Sequence, residues 1–235
     1  MDNIKNNINK IINDIRKAEI KSGRSEGSVK LLAVSKFHSV DSIIEAIEYG
    51  QKYFGENRVQ EAYSKFVEIK KMYDDIELHI IGQLQSNKVK KAVEIASYIE
   101  SVDRIELVKE IEKQAAKINK RINILFELHT AEDSKSGYDS IDSLLETVEY
   151  CSSGNTPHIT VKGLMTMAPF TQDENIIRKS FISLRNTANL LKNKFPALDF
   201  SELSMGMSGD FESAVANGSN IVRVGSAIFG ARKYF

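Results

Sequence analysis

The chain has a single cysteine, Cys151, among 235 residues. One thiol forms no internal disulfide, and a thiolate-held metal site needs several, so both roles are excluded. There are 3 prolines and no tryptophan. With no stretch rich in Pro, Ser or Gly, nothing marks a linker, and residues 1–235 read as one domain. Charge of neither sign is in excess: 32 Lys and Arg balance 32 Asp and Glu. A nucleic-acid binder carries a basic excess on one face, and a protein of anionic membrane surfaces a polybasic segment; neither is here. No apolar run approaches the roughly 18 residues of a membrane span. The opening MDNIKNNINKII lacks the apolar stretch and cleavage site of a secretory signal, so a cytoplasmic location is expected. What is present is an ordinary globular composition, 42% hydrophobic and 27% charged, with enough apolar material for a sizeable core.

A short apolar run, a polar turn and a helical stripe recur along the chain. Ile4, Ile8, Ile11, Ile12 and Ile15 fall at three-and-four spacing, which predicts an N-terminal helix within residues 1–23 that packs on the rest of the fold. Strands are predicted at 31–34, 53–54, 78–81, 98–102, 122–128, 159–167, 200–203 and 221–224. Gly50 and Gly218 are placed to end helices in the left-handed conformation, and Asp103 with Glu106 reads as a capping box. Eight such strand–helix repeats fit a (β/α)8 barrel, and the continuous apolar strands suit a parallel sheet covered on both faces. A doubly wound open sheet is the rival. The repeat count, and the lack of a Gly-rich dinucleotide fingerprint after the first strand, favour the barrel.

Barrels place functional residues at the carboxyl ends of their strands. That rule selects Ser35-Lys36, Gly55-Glu56-Asn57-Arg58, residues 82–88, His129 with 134–137, Met167-Ala168-Pro169, residues 204–210 and Gly225-Ser226-Ala227. The last two groups suit a phosphate cradle, because small residues and helix-start amides let an anion approach; the alternative is that Gly and Ser simply make turns. Lys36 is a candidate nucleophile: a partly desolvated amine can attack a carbonyl to form a Schiff base. Lysine is common in this chain, so position alone does not single it out. His79 and His129 lie on apolar strands, where a hydrogen-bonded core role is the commoner one. No second His at ligand spacing accompanies either, and no metal is expected. Met165 and Met167 read as packing. Arg223, between Val222 and Val224, must either aim its guanidinium into the barrel mouth or pair it with a barrel carboxylate.

Seven blocks then carry a resemblance: LLAVSK (31–36), FGENRVQE (54–61), HIIGQLQSNK (79–88), EDSKSGY (132–138), KGLMTMAP (162–169), LSMGMSGDFE (203–212) and VRVGSAIFGAR (222–232). In this order they resemble the pyridoxal-phosphate homeostasis protein family. The resemblance implies an α/β fold, a (β/α)8 TIM barrel of the alanine racemase N-terminal-domain type with an extra N-terminal helix. It implies bound pyridoxal 5′-phosphate (PLP), with Lys36 as the Schiff-base lysine, Ser208, Gly225 and Ser226 around the phosphate, and Arg223 facing the pyridine nitrogen. Asn57 falls in a motif at the pocket mouth, and His79, Ser86, Asn87, His129 and Met165 are possible pocket residues. Four positions depart from the family pattern. Leu78 stands where the family usually has Trp. His129 replaces the Asn-containing end of the fifth strand. Phe37-His38 follows Lys36 instead of small or basic residues.

An Arg beside the pyridine nitrogen disfavours protonating it, which weakens the ring as an electron sink. Racemases of this fold also have a further β-domain and a catalytic Tyr from across a dimer interface, whereas only residues 227–235 follow the last strand here. The expected function is therefore a PLP carrier in intracellular vitamin B6 homeostasis, a monomer that passes cofactor to apo-enzymes without robust turnover. A weak PLP-dependent amino-acid racemase is the alternative. A Schiff-base aldolase acting without the cofactor is a third reading.

Overall fold

The apolar runs become β1 (Lys30–Val34), β2 (Tyr53–Glu56), β3 (Glu77–Ile80), β4 (Tyr98–Val102), β5 (Ile122–Glu127), β6 (Ile159–Met165), β7 (Glu202–Met207) and β8 (Ile221–Val224). The structure, a computed structural model, describes residues 4–130 and 136–231. Among these residues the eight strands close in chain order into a barrel, every neighbouring pair parallel. Pairing of Leu32 with Arg223 seals β1 against β8. The doubly wound sheet is thereby excluded.

The connecting helices are α1 (Ile4–Lys21), α2 (Val40–Glu48), α3 (Val59–Met72), α4 (Val89–Ile95), α5 (Ile105–Lys117), α6 (Ile141–Tyr150), α7 (Glu174–Lys194), α8 (Phe211–Ala216) and α9 (Ser226–Phe229). Their apolar stripes, such as Ala62, Phe66 and Ile69 of α3 or Phe181, Leu184 and Leu191 of α7, are fully buried with the outward residues of the strands, such as Phe54, Leu78, Ile80 and Ile99. Each large side chain so buried contributes about 1.5–3 kcal/mol. Ser39 and Ser140 cap α2 and α6 by accepting from the amides of Ser42 and Ser143. Gly50 and Gly218 take positive φ just past α2 and α8, as their spacing predicts.

Ile4, Ile8, Ile11 and Ile15 of α1 are buried where the helix meets α2, α8 and α9. Its C-terminal end is fixed by a buried carboxylate. Glu19 accepts from Arg16 at 2.9 Å, from the Gly27 amide at 3.0 Å and from the Val29 amide at 2.6 Å. That arrangement ties the helix to the segment leading into β1.

Several local expectations are corrected. The seventh strand is Glu202–Met207, not 200–203. Ser204 and Gly206 interrupt its apolar run, yet Ser204 is fully buried and bonded inside the barrel. Asp103 and Glu106 do not make a capping box: α5 starts one residue later, after Arg104, with no side-chain cap, and Asp103 pairs with the Arg104 guanidinium instead. The fifth and sixth strands end at Glu127 and Met165, slightly short of the predicted limits.

Candidate functional site

At the carboxyl end of β1 the chain makes a tight turn. The His38 amide donates to the Ser35 carbonyl at 3.1 Å, which places Lys36 and Phe37 in the central positions. Phe37 has φ 65, a left-handed conformation that a bulky residue adopts only under strain. Across the mouth, β8 is followed by Gly225, whose carbonyl accepts from the Ile228 and Phe229 amides of α9. A Cβ on Gly225 would stand 3.2 Å from the Val34 carbonyl oxygen, so the backbones of this loop and β1 lie against each other. After β7, the Asp210 carboxylate accepts from the Met207 amide at 2.5 Å and shapes the turn that holds Ser208. Asn57, just past β2, is seated on Gly82. A Cβ there would lie 2.5 Å from the Asn57 carbonyl oxygen, so only glycine permits the approach.

These loops converge on one cavity of about 170 Å³, lined by Lys36, Asn57, Ser208, Arg223, Gly225 and Ser226. Its volume is an order of magnitude above what one water molecule needs. Val34, Ile81, Met167 and Met207 supply an apolar wall, and His38 stands at the rim, stacked on Phe229 at 5.0 Å. Sequence reasoning placed Met167 and Met207 at strand ends and passed over Val34 and Ile81. Met167 lies two positions beyond Met165, past the end of β6, and it is Met167 that meets the cavity.

Below the cavity the barrel interior is polar. Arg223 is buried; its Nη1 donates to Ser204 Oγ at 2.8 Å and its Nη2 to the Thr166 carbonyl at 2.8 Å. The Ser204 hydroxyl donates in turn to Glu100 Oε2 at 2.5 Å, and Glu100 Oε1 meets His79 Nδ1 at 2.5 Å. Burial works to raise the Glu100 pKa, but the His79 hydrogen bond and the Arg223 charge outweigh it and hold the carboxyl low. Burial likewise pulls His79 down, and the Glu100 and Glu77 carboxylates more than reverse it. The outcome is a hydrogen-bonded chain running from His79 through Glu100 and Ser204 to Arg223. Arg223 thus lines the cavity, and instead of a direct ion pair it reaches Glu100 through the Ser204 hydroxyl.

Other candidates lie outside the cavity lining. His79 is buried and stacked on Tyr98, with ring centroids 4.2 Å apart. Met165 is fully buried. Ser86 and Asn87 are exposed in the short 3-10 helix Ser86–Lys88. His129 donates its backbone amide to the Tyr138 carbonyl at 3.0 Å, and its substitution for the family's usual residue does not reach the cavity. Glu132, Asp133, Ser134 and Lys135 of the EDSKSGY block, and Arg232 of the last block, lie outside the described residues. Among the described residues no cluster of His, Cys, Asp or Glu could hold a metal ion, and no helix is long and apolar enough to cross a membrane. Cys151 is buried, and burial pushes its thiol up to about 11, away from reactivity.

Comparison with known proteins gives concordant matches. Residues 1–233 match the family described as alanine racemase, N-terminal domain. The pyridoxal phosphate homeostasis protein of Vibrio alginolyticus is 39% identical over 237 residues, covering 100% of both chains. The structure of PipY from Synechococcus elongatus PCC7942, solved with PLP bound, superposes with a TM-score of 0.82 at 35% identity, covering 92% of this chain and 100% of that one. Alanine racemase from Streptomyces coelicolor A3(2) shares the fold with a TM-score of 0.74 at 15% identity, over 97% of this chain and 58% of its own.

Proposed function

This chain belongs to the alanine racemase N-terminal domain family and, within it, to the pyridoxal phosphate homeostasis proteins, and from that premise we propose that it holds PLP on Lys36 as a carrier in vitamin B6 homeostasis. The observation that carries the reading is the convergence of Lys36, Ser208, Arg223, Gly225 and Ser226 on one small cavity. The donor set fits the cofactor. A primary amine suits its aldehyde, small hydroxyl and glycine residues suit its phosphate, and a buried cation suits a ring nitrogen that stays unprotonated.

PLP supplies an aldehyde that condenses with an amine: a carbon–nitrogen double bond forms and one water leaves. The residues of this chain do the rest. Lys36 Nζ is the nucleophile and needs its neutral form to attack. Arg223 keeps a fixed positive charge in the cavity floor, its orientation locked by Ser204 and Thr166. A cation there disfavours a second positive charge on a nitrogen placed against it, which limits electron withdrawal and hence turnover. Ser208 and Ser226 offer hydroxyl donors to an anion, so no basic surface is required, in keeping with the balanced charge. Val34, Ile81, Met167 and Met207 keep bulk water off one side. Passage of the cofactor to apo-enzymes by a monomeric, cytoplasmic protein completes the proposal.

Borohydride reduction of the PLP-loaded protein followed by peptide mass mapping tests it. The label is expected on Lys36, and Lys36→Ala is expected to lose both label and visible absorbance. A label on another lysine overturns the site. The shared fold with alanine racemases favours a second reading, weak racemisation. Robust amino-acid racemisation at saturating PLP that vanishes in Lys36→Ala would replace the carrier reading with it.

A further inference from the structure

The FGENRVQE block places Asn57 on the cavity but leaves its two carboxylates, Glu56 and Glu61, without a role there. Both are engaged behind Lys36. Glu61 Oε1 accepts from the Phe37 amide at 2.6 Å and from Lys65 Nζ at 2.6 Å. Lys65 Nζ also donates to Glu56 Oε1 at 3.1 Å and to the Ser35 carbonyl at 3.0 Å. Glu56 Oε1 accepts from the Ser35 hydroxyl at 2.7 Å. Ser35 and Phe37, the two residues flanking Lys36, are therefore each held by this buried cluster.

We infer that Glu61, with Lys65 and Glu56, is a positioning device that clamps the Ser35–His38 turn and so aims the Lys36 amine into the cavity. The inference rests on Lys36 being the PLP anchor. The need for a clamp comes from Phe37. Its positive φ is the conformation that the third residue of a type II turn requires and that glycine supplies without strain. A bulky residue keeps such a conformation only where its surroundings over-determine it. Here the Glu61 carboxylate captures the Phe37 amide in the strained form, and Lys65 fixes that carboxylate through α3. Lys36 lies between two pinned backbone groups, so its side chain emerges toward the cavity it lines.

The clamp predicts a specific pattern of loss and rescue. Glu61→Ala removes the acceptor, and Glu61→Asp draws it one methylene away from the Phe37 amide as a milder lesion. Glu61→Gln keeps an amide oxygen in place. Phe37→Gly removes the strain and with it the need for the clamp. PLP affinity is read from absorbance titration, and the site of capture from borohydride labelling, each on protein shown folded by circular dichroism. Affinity is expected to weaken about tenfold in Glu61→Ala and Glu61→Asp, to stay within about threefold of wild type in Glu61→Gln, and to recover when Phe37→Gly is added to either weak variant. Wild-type affinity in Glu61→Ala and Glu61→Asp overturns the inference. A defect that Phe37→Gly leaves unrelieved overturns it too, and makes the cluster a stability network only. Wild-type protein labelled elsewhere than Lys36 overturns the anchor as well, so the position of the label separates the two failures.

Discussion

Arg223 carries a permanent charge into the barrel with Glu100, Glu127 and Asp210 around it. Burial alone lowers its pKa, and those carboxylates oppose the shift. Removing one partner of a buried charge set strands the others, at about 3–5 kcal/mol. Arg223→Leu is accordingly expected to lose that much stability in urea denaturation, besides losing PLP. Glu56 gives a pH signature. Burial raises it from 4.5 to about 6, against the pull of Lys65 and Ser35. Its folded form prefers the proton, so its contribution is complete below the ordinary carboxylate pKa and is lost as pH rises through the folded one. Between those two pH values Glu56→Gln should gain on wild type by about 2 kcal/mol, measured as the gap between their denaturation curves. At this scale the sequence was partly legible. A charged residue inside an apolar strand drew attention to Arg223, and the same signal at Glu100 went unused because nothing in one strand says which neighbour will face it.

Helix ends were readable at Gly50 and Gly218, whose signal is local, whereas the cap at Asp173 was seen only in the structure. Asp173 accepts from the Asn175 amide at 2.9 Å and from the Ile176 amide at 3.4 Å at the start of α7. Asp173→Ala is expected to cost about 1 kcal/mol in thermal or chemical denaturation, with little effect on PLP binding. The capping box at Asp103 lost to its sequence neighbour: β4 runs to Val102, α5 begins after Arg104, and the Arg104 guanidinium claims the carboxylate. Strand limits failed too. A run scored by hydrophobicity stopped at Leu203, whereas the barrel continues β7 through Ser204 and Gly206. The inner face of a small barrel can be polar, provided its groups satisfy one another, as Ser204 does between Glu100 and Arg223.

For the whole molecule, ligand and fold are linked. A cofactor bound only by the folded state at a hundred times its Kd stabilises by about 2.7 kcal/mol, roughly 5–10 °C in Tm for a chain of this size. Addition of PLP is expected to raise the thermal midpoint by that amount in wild type and far less in Lys36→Ala, as followed by differential scanning calorimetry. The sequence by itself determined the repeating strand–helix order, the stripe of α1 and the strand-end address of Lys36, because periodicity and turn chemistry act between near neighbours. Its family resemblance added the cofactor and the roles proposed for Ser208, Gly225 and Ser226. Only the tertiary structure decided that Met167 and not Met165 meets the cavity, that His79 serves Glu100 below it, and that Glu61 reaches back to Phe37. Those outcomes depend on where each strand ends in the barrel and on loops distant in sequence, which local periodicity does not encode.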